Sequence, residues 1–140
     1  MQGTNYGFRV ELPLTFDQAV EKTVSALKEQ GFGVLTEINV RETLKQKLDV
    51  DFKRYTILGA CNPPLAHQAL QTEEEIGLLL PCNVIVYEIN SSSSRIAAID
   101  PVKAMSVVGN DRLESIADQV KEKLTAVLSL LEQAAVTESR

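Results

Sequence analysis

Between Gly59 and Asn83 the chain gathers both of its cysteines, its single histidine and three of its five prolines. The residues run Gly59-Ala60-Cys61-Asn62-Pro63-Pro64-Leu65-Ala66-His67 and then, from Leu78, Leu-Leu-Leu-Pro-Cys-Asn83. Each cysteine precedes an asparagine, and each stands where an apolar run meets a proline. A thiolate is a nucleophile and a soft metal ligand, and imidazole exchanges protons near neutrality. Nucleophilic or redox work, metal binding and the lining of a ligand pocket are therefore all open to Cys61, His67 and Cys82.

Cys61 ends a predicted strand just before a short helix, Leu65 to Gln71, for which Pro64 suits the first position because its missing N–H is not needed there. Unpaired N–H groups at a helix start can stabilise a thiolate, and His67 could face back toward it. The competing reading makes Cys61 a small buried residue at a tight junction and His67 a surface or packing residue. Cys82 begins a strand expected at the centre of the sheet. Its separation from Cys61 excludes a Cys-x-x-Cys redox motif, although adjacent strands can bring the two thiols together.

Cys61, Cys82 and His67 supply ligand types for a three-residue zinc site, but their spacing matches no ligand motif, so no metal is assigned. Asn62 and Asn83 suit caps or turns, and their amides can also orient a ligand. The expected contact region is Cys61, Asn62, Pro63, Pro64, Cys82 and Asn83, with His67 nearby. The catalytic residues and the cofactor stay unknown. The chain has no Gly-rich phosphate loop and no Gly-x-Ser-x-Gly elbow.

Composition narrows the partners. A net charge of −5 argues against nucleic acid, because phosphate binding rests on clustered Lys and Arg. Lys45/Lys47 and Lys53/Arg54 are short basic groups with acids close by, and few aromatics are present for base stacking. No apolar run reaches the ~18 residues of a membrane span. The first residues lack the pattern of a signal peptide, and two cysteines without an export signal read as thiols, so a cytoplasmic protein is expected.

The elements that must position these residues follow from periodicity. Tyr6, Phe8, Val10 and Leu12 alternate as a strand with one buried face. Thr15 and Gln18 form a capping box, followed by Phe16, Ala19, Val20, Thr23, Val24 and Leu27 at helical spacing, with Gly31 as the stop. Phe32 to Val40 reads as a strand pairing back onto the first, and Arg41 to Leu48 as exposed helical turns. Arg54 to Cys61 is a third strand, and Glu73 to Leu80 is ambiguous. Asn83 to Ile89 and Arg95 to Ile99 form a hairpin across Asn90 and Ser91 to Ser94. Val102 to Val108 is an apolar connector. Asp111 caps a long helix whose stripe is Leu113, Ile116, Ala117, Val120, Leu124, Val127, Leu128 and Leu131. Residues from Val136 to Arg140 are expected to fray. This order predicts an α+β fold, one domain over residues 1–140, in which a mainly antiparallel sheet carries an N-terminal and a long C-terminal helix on one face.

The segments Gly59-Ala60-Cys61-Asn62-Pro63 and Ile76-Gly77-Leu78-Leu79-Leu80-Pro81-Cys82-Asn83-Val84, with the later Asp100-Pro101, resemble the small bacterial and archaeal family called domain of unknown function 302. The resemblance extends over nearly the whole chain, including the Phe16 to Leu27 helix. It implies a topology like that of the TATA-box-binding protein and, by analogy, dimers. It implies no DNA binding, since fold does not carry function, and the family has no agreed activity.

The reading that follows is a small, dimeric, cytoplasmic protein binding a small ligand near the two-cysteine junction. The alternatives are a thiol-dependent enzyme or redox protein using Cys61, and a structural interaction module with buried cysteines.

Overall fold

The computed structural model describes residues 1–138. In chain order the elements are β1 (Gln2–Gly3), β2 (Gly7–Leu12), α1 (Phe16–Glu29), β3 (Gly33–Asn39), α2 (Val40–Leu48), β4 (Tyr55–Cys61), α3 (Pro63–Thr72), a 3₁₀ segment (Glu74–Leu79), β5 (Cys82–Asn90), β6 (Ser93–Ile99), α4 (Pro101–Ser106), a 3₁₀ turn (Asp111–Leu113) and α5 (Glu114–Glu138). The six strands form one sheet in the order β1-β2-β6-β5-β4-β3, antiparallel at every pairing. The fold is α+β, with α1 and the long α5 packed together over the sheet.

Alternation along the strands decides which face is covered. Phe8, Val10 and Leu12 of β2, Ile96 and Ala98 of β6, Val84 and Val86 of β5, and Leu58 and Ala60 of β4 are all buried. They meet the apolar stripe of α5, where Leu124, Val127 and Leu128 are fully enclosed. The side of α1 that faces them carries Ala19, Thr23, Ala26 and Leu27. Three of these are small, which lets the helix backbone approach closely. The Thr23 hydroxyl donates to the Ala19 carbonyl at 2.7 Å, so it is buried without an unmet hydrogen bond.

The helix starts follow local chemistry. Thr15 accepts from the Gln18 N–H while the Gln18 side chain accepts from the Thr15 N–H, the reciprocal capping box expected from the sequence. Gly31 follows the end of α1 with φ +84°, a left-handed conformation open to glycine at little cost. Asp100 caps α4 by accepting from the N–H groups of Val102 and Lys103.

Several expectations are corrected. β3 does not pair back onto the first long strand; it pairs only with β4, at the opposite edge of the sheet. The reason is the intervening helix. α1 carries the chain back along the sheet, so β3 runs in the same direction as β2 and cannot form a hairpin with it. α1 also lies over β5 and β6, which fill the space between. The helix after Cys61 starts one residue early, with Asn62 as cap and both Pro63 and Pro64 in its first turn. The serine run is only half turn, because Ser93 and Ser94 belong to β6 and the Ser94 hydroxyl is buried against the Leu14 carbonyl. The connector after Asp100 is α4, and Asn110 rather than Asp111 caps the turn leading into α5. The ambiguous Glu73 to Leu80 stretch is the 3₁₀ segment. Of the stretch expected to fray, α5 includes Val136 to Glu138, and Ser139 and Arg140 lie outside the described residues.

Candidate functional site

The neighbouring ends of β4 and β5 bring the two cysteine segments together. Cys82, the first residue of β5, sits opposite Ala60, so Cys61 is one residue further along the adjoining strand. Both thiols are free. The chain leaves β4 through Asn62, whose side-chain oxygen accepts from the Leu65 N–H at 3.3 Å, and turns directly into α3. It returns through the 3₁₀ segment and the cis peptide Leu80–Pro81 into Cys82.

Between these segments and α5 lies a cavity of about 310 Å³. Its wall comes from six separated stretches: Phe32 and Leu35; Ala60 to Asn62; Leu65, Ala66, Ala69 and Leu70 of α3; Gly77 and Leu80 to Cys82; Met105 of α4; and Ile116 and Val120 of α5. Cys61, Asn62 and Cys82 of the expected site line it. Pro63 and Pro64 are exposed and do not, although they direct α3 over the opening. His67 is exposed on α3 and does not reach the cavity wall. Asn83 is exposed and belongs to a depression on the far face of the sheet. Among the described residues no cluster of three or more His, Cys, Asp and Glu is arranged to hold a metal.

Thiol chemistry is constrained by the same geometry. Cys82 is buried, and that burial, with the neighbouring Cys61, pushes its pKa up to about 11. Cys61 is half-buried at the rim. The N–H groups at the start of α3 are not free to hold a thiolate here. Pro63 and Pro64 have no N–H, the Leu65 N–H is taken by the Asn62 side chain, and the Ala66 N–H by the Asn62 carbonyl. No donor of the first helical turn is left over for a thiolate at Cys61.

The wall residues missed by sequence reasoning left a signal of helical spacing. Leu65 and Ala69, and Ile116 and Val120, are pairs four apart on α3 and α5. Such pairs share one helix face, but only the tertiary fold aims both faces at the same cavity.

The opposite face of the sheet is built in rows. Ile38, Ile57, Ile85, Ala97 and Arg9 stand side by side across five strands. The next row is Tyr55, Tyr87, Arg95 and Glu11. Tyr55 and Tyr87 stack with centroids 5.4 Å apart, and Arg95 lies over the Tyr87 ring while pairing with Glu11 at 2.8 Å. With Tyr6, all three tyrosines of the chain border one depression on this face.

The family model described as domain of unknown function DUF302 matches residues 8–131. The fold is similar to the crystal structure of an uncharacterized conserved DUF302 protein from Bacillus stearothermophilus, with a TM-score of 0.84 and 29% sequence identity, over 91% of this chain and 99% of that one. No curated protein matches the chain.

Proposed function

This chain belongs to the DUF302 family, and from that premise we propose that it is a small-ligand-binding protein whose site is the cavity at the Cys61–Cys82 junction. The observation that carries this reading is the cavity itself. Two cysteine segments, separate in sequence, meet around a space of about 310 Å³ instead of filling it with side chains. A concave, apolar space of this size, lined by three helices, two strand ends and a 3₁₀ segment, has the dimensions and lining of a small-molecule site and supports binding over a purely structural role. The thiol-enzyme reading is less well supported, since the N–H donors expected to activate Cys61 are already engaged. Free thiols fit a reducing, cytoplasmic setting. No helix among the described residues is long and apolar enough to cross a membrane.

The protein acts as a homodimer in this proposal, with the second copy on the open sheet face. That face carries the exposed Ile38 and, beside it, the partly exposed Ile57, Ile85 and Ala97, while α1 and α5 cover the other side.

The test of the site is native mass spectrometry of the purified protein, paired with a thermal-shift screen of small molecules. Ala66 borders the cavity from α3, so Ala66→Phe fills it from the rim. A bound mass or a stabilising compound that is lost in Ala66→Phe supports the site. Binding that persists unchanged in Ala66→Phe, or no binding in either assay, overturns it.

A further inference from the structure

The cavity wall states which chemistry it accepts, and this inference rests on the binding site proposed above. Among the described residues, no Lys, Arg, His, Asp or Glu side chain lines the cavity. The wall is aliphatic and aromatic carbon from residues such as Phe32, Leu65, Leu80, Met105, Ile116 and Val120. Its polar side chains are the asparagine amide and the two thiols, and burial raises the Cys82 thiol so that it stays neutral at physiological pH. An ionised ligand placed here would leave water without gaining a countercharge, which is strongly unfavourable.

Size and direction narrow the class further. An apolar cavity of about 150 Å³ accommodates benzene. This one is about twice as large, enough for a fused two-ring aromatic or a medium-length alkyl chain. At the rim, Leu35 and Leu70 expose apolar surface that an occupant would cover. The Asn62 oxygen is committed to the Leu65 N–H, whereas no hydrogen bond from its NH₂ group is formed within the described chain. A residue that lines the cavity thus carries one donor without a partner in the described chain.

We propose that the cavity binds an uncharged, predominantly apolar small molecule whose single hydrogen-bond acceptor meets the Asn62 amide. It does not take an anion or a phosphorylated metabolite. Alkyl and aryl ketones, alcohols and esters of about ten to twelve carbons fit this description, judged against the benzene-sized cavity.

Matched probes test it. Calorimetric titration compares 2-acetylnaphthalene, which is neutral with one carbonyl acceptor, with 2-naphthoate, which has the same rings and a carboxylate. The ketone is expected to bind at least ~100-fold more tightly than the anion. Ala66→Phe is expected to abolish binding of the ketone. Asn62→Asp keeps an oxygen to cap α3 and has no donor, so the ketone should lose its advantage over 2-ethylnaphthalene, which has no acceptor. Circular dichroism confirms that both variants fold. Tight naphthoate binding that Ala66→Phe removes would overturn the proposed ligand class while leaving the site in place. An unchanged preference for the ketone over 2-ethylnaphthalene in Asn62→Asp would overturn the role of the amide. Failure of every probe to bind, or binding indifferent to Ala66→Phe, would overturn the class and the site together.

Discussion

The ammonium of Lys121 on α5 lies 3.0 Å from the Asp100 carboxylate, whose other oxygen caps the start of α4. One buried side chain thereby joins the end of β6, a short helix and the long C-terminal helix, beside the Met105 that α4 contributes to the cavity wall. Burial by itself would raise the Asp100 carboxyl. The Lys121 ammonium and the N–H groups of Lys103 and Val102 overcome that effect and hold it below its ordinary value.

A folded pKa below the unfolded one contributes stability above the ordinary carboxylate range, and that stability disappears as pH falls through the folded value. Asp100→Asn retains a capping oxygen and loses the charge. It should cost ~1 kcal/mol at pH 7, a modest figure because Lys121 is 42% exposed. The difference from wild type should shrink toward zero below about pH 4. Urea melts at pH 7 and pH 3 check this, and a difference that does not change with pH would contradict the ion pair.

The two thiols should differ in accessibility. With its pKa at about 11, Cys82 is ionised at pH 7 in roughly one molecule in 10⁴ and is also sterically covered. Iodoacetamide should label half-buried Cys61 in the native protein and Cys82 only after denaturation, read by peptide mass spectrometry. Native labelling of Cys82 at the rate of Cys61 would show that the cavity wall opens.

The same thiol predicts an alkaline limb of stability. Because burial holds the folded pKa of Cys82 above the unfolded value, its contribution is complete below about pH 8.5 and declines as pH rises toward 11. Cys82→Ala should therefore lose less stability than wild type between pH 8 and pH 10.5. Parallel slopes for the two proteins would refute the assignment.

Gly59 stands in register between Thr36 of β3 and Asn83 of β5, on the open face. A Cβ there would collide with the Thr36 side chain and come within 2.8 Å of the Pro81 ring. Gly59→Ala should cost about 1–3 kcal/mol through overpacking, and Thr36→Ala in the same chain should restore part of it. Additive losses in a double-mutant cycle would mean that the two sites do not touch.

Leu124 and Leu128 lie one helical turn apart and are both fully buried under α5. Either one changed to Ala should lose ~2–5 kcal/mol in urea unfolding, because the surrounding core cannot collapse completely into the space left. A loss below about 0.5 kcal/mol would place that residue at the surface.

Sedimentation velocity tests the open sheet face. Ile85 lies in the centre of its apolar row, between Ile57 and Ala97. Wild type should sediment as a dimer, and Ile85→Lys should sediment as a monomer with a wild-type circular dichroism spectrum, melting near the temperature that wild type approaches on dilution. A concentration-independent wild-type monomer would remove the dimer.

The limits of α1 and the buried stripe of α5 were legible in the chain because their signals are local. Thr15 and Gln18 meet within one turn, Gly31 needs only its own backbone freedom, and the stripe from Leu113 to Leu131 repeats at the helical period. The α+β class and the family resemblance followed from the same local patterns together with the two cysteine segments. Long-range pairing carries no comparable mark. Nothing in Phe32 to Val40 states that its partner is the later Tyr55–Cys61 strand instead of the earlier Gly7–Leu12, because either partner satisfies the alternation. The choice was made by α1, whose length and buried side carry β3 to the far edge of the sheet. The cavity was decided in the same way. Cys61 and Cys82 announced a junction, but Phe32, Met105 and Val120 join them only because three helices and two strand ends converge there. His67, chemically the most suggestive residue of the segment, was turned away by the helical rotation that points Leu65 and Ala69 inward.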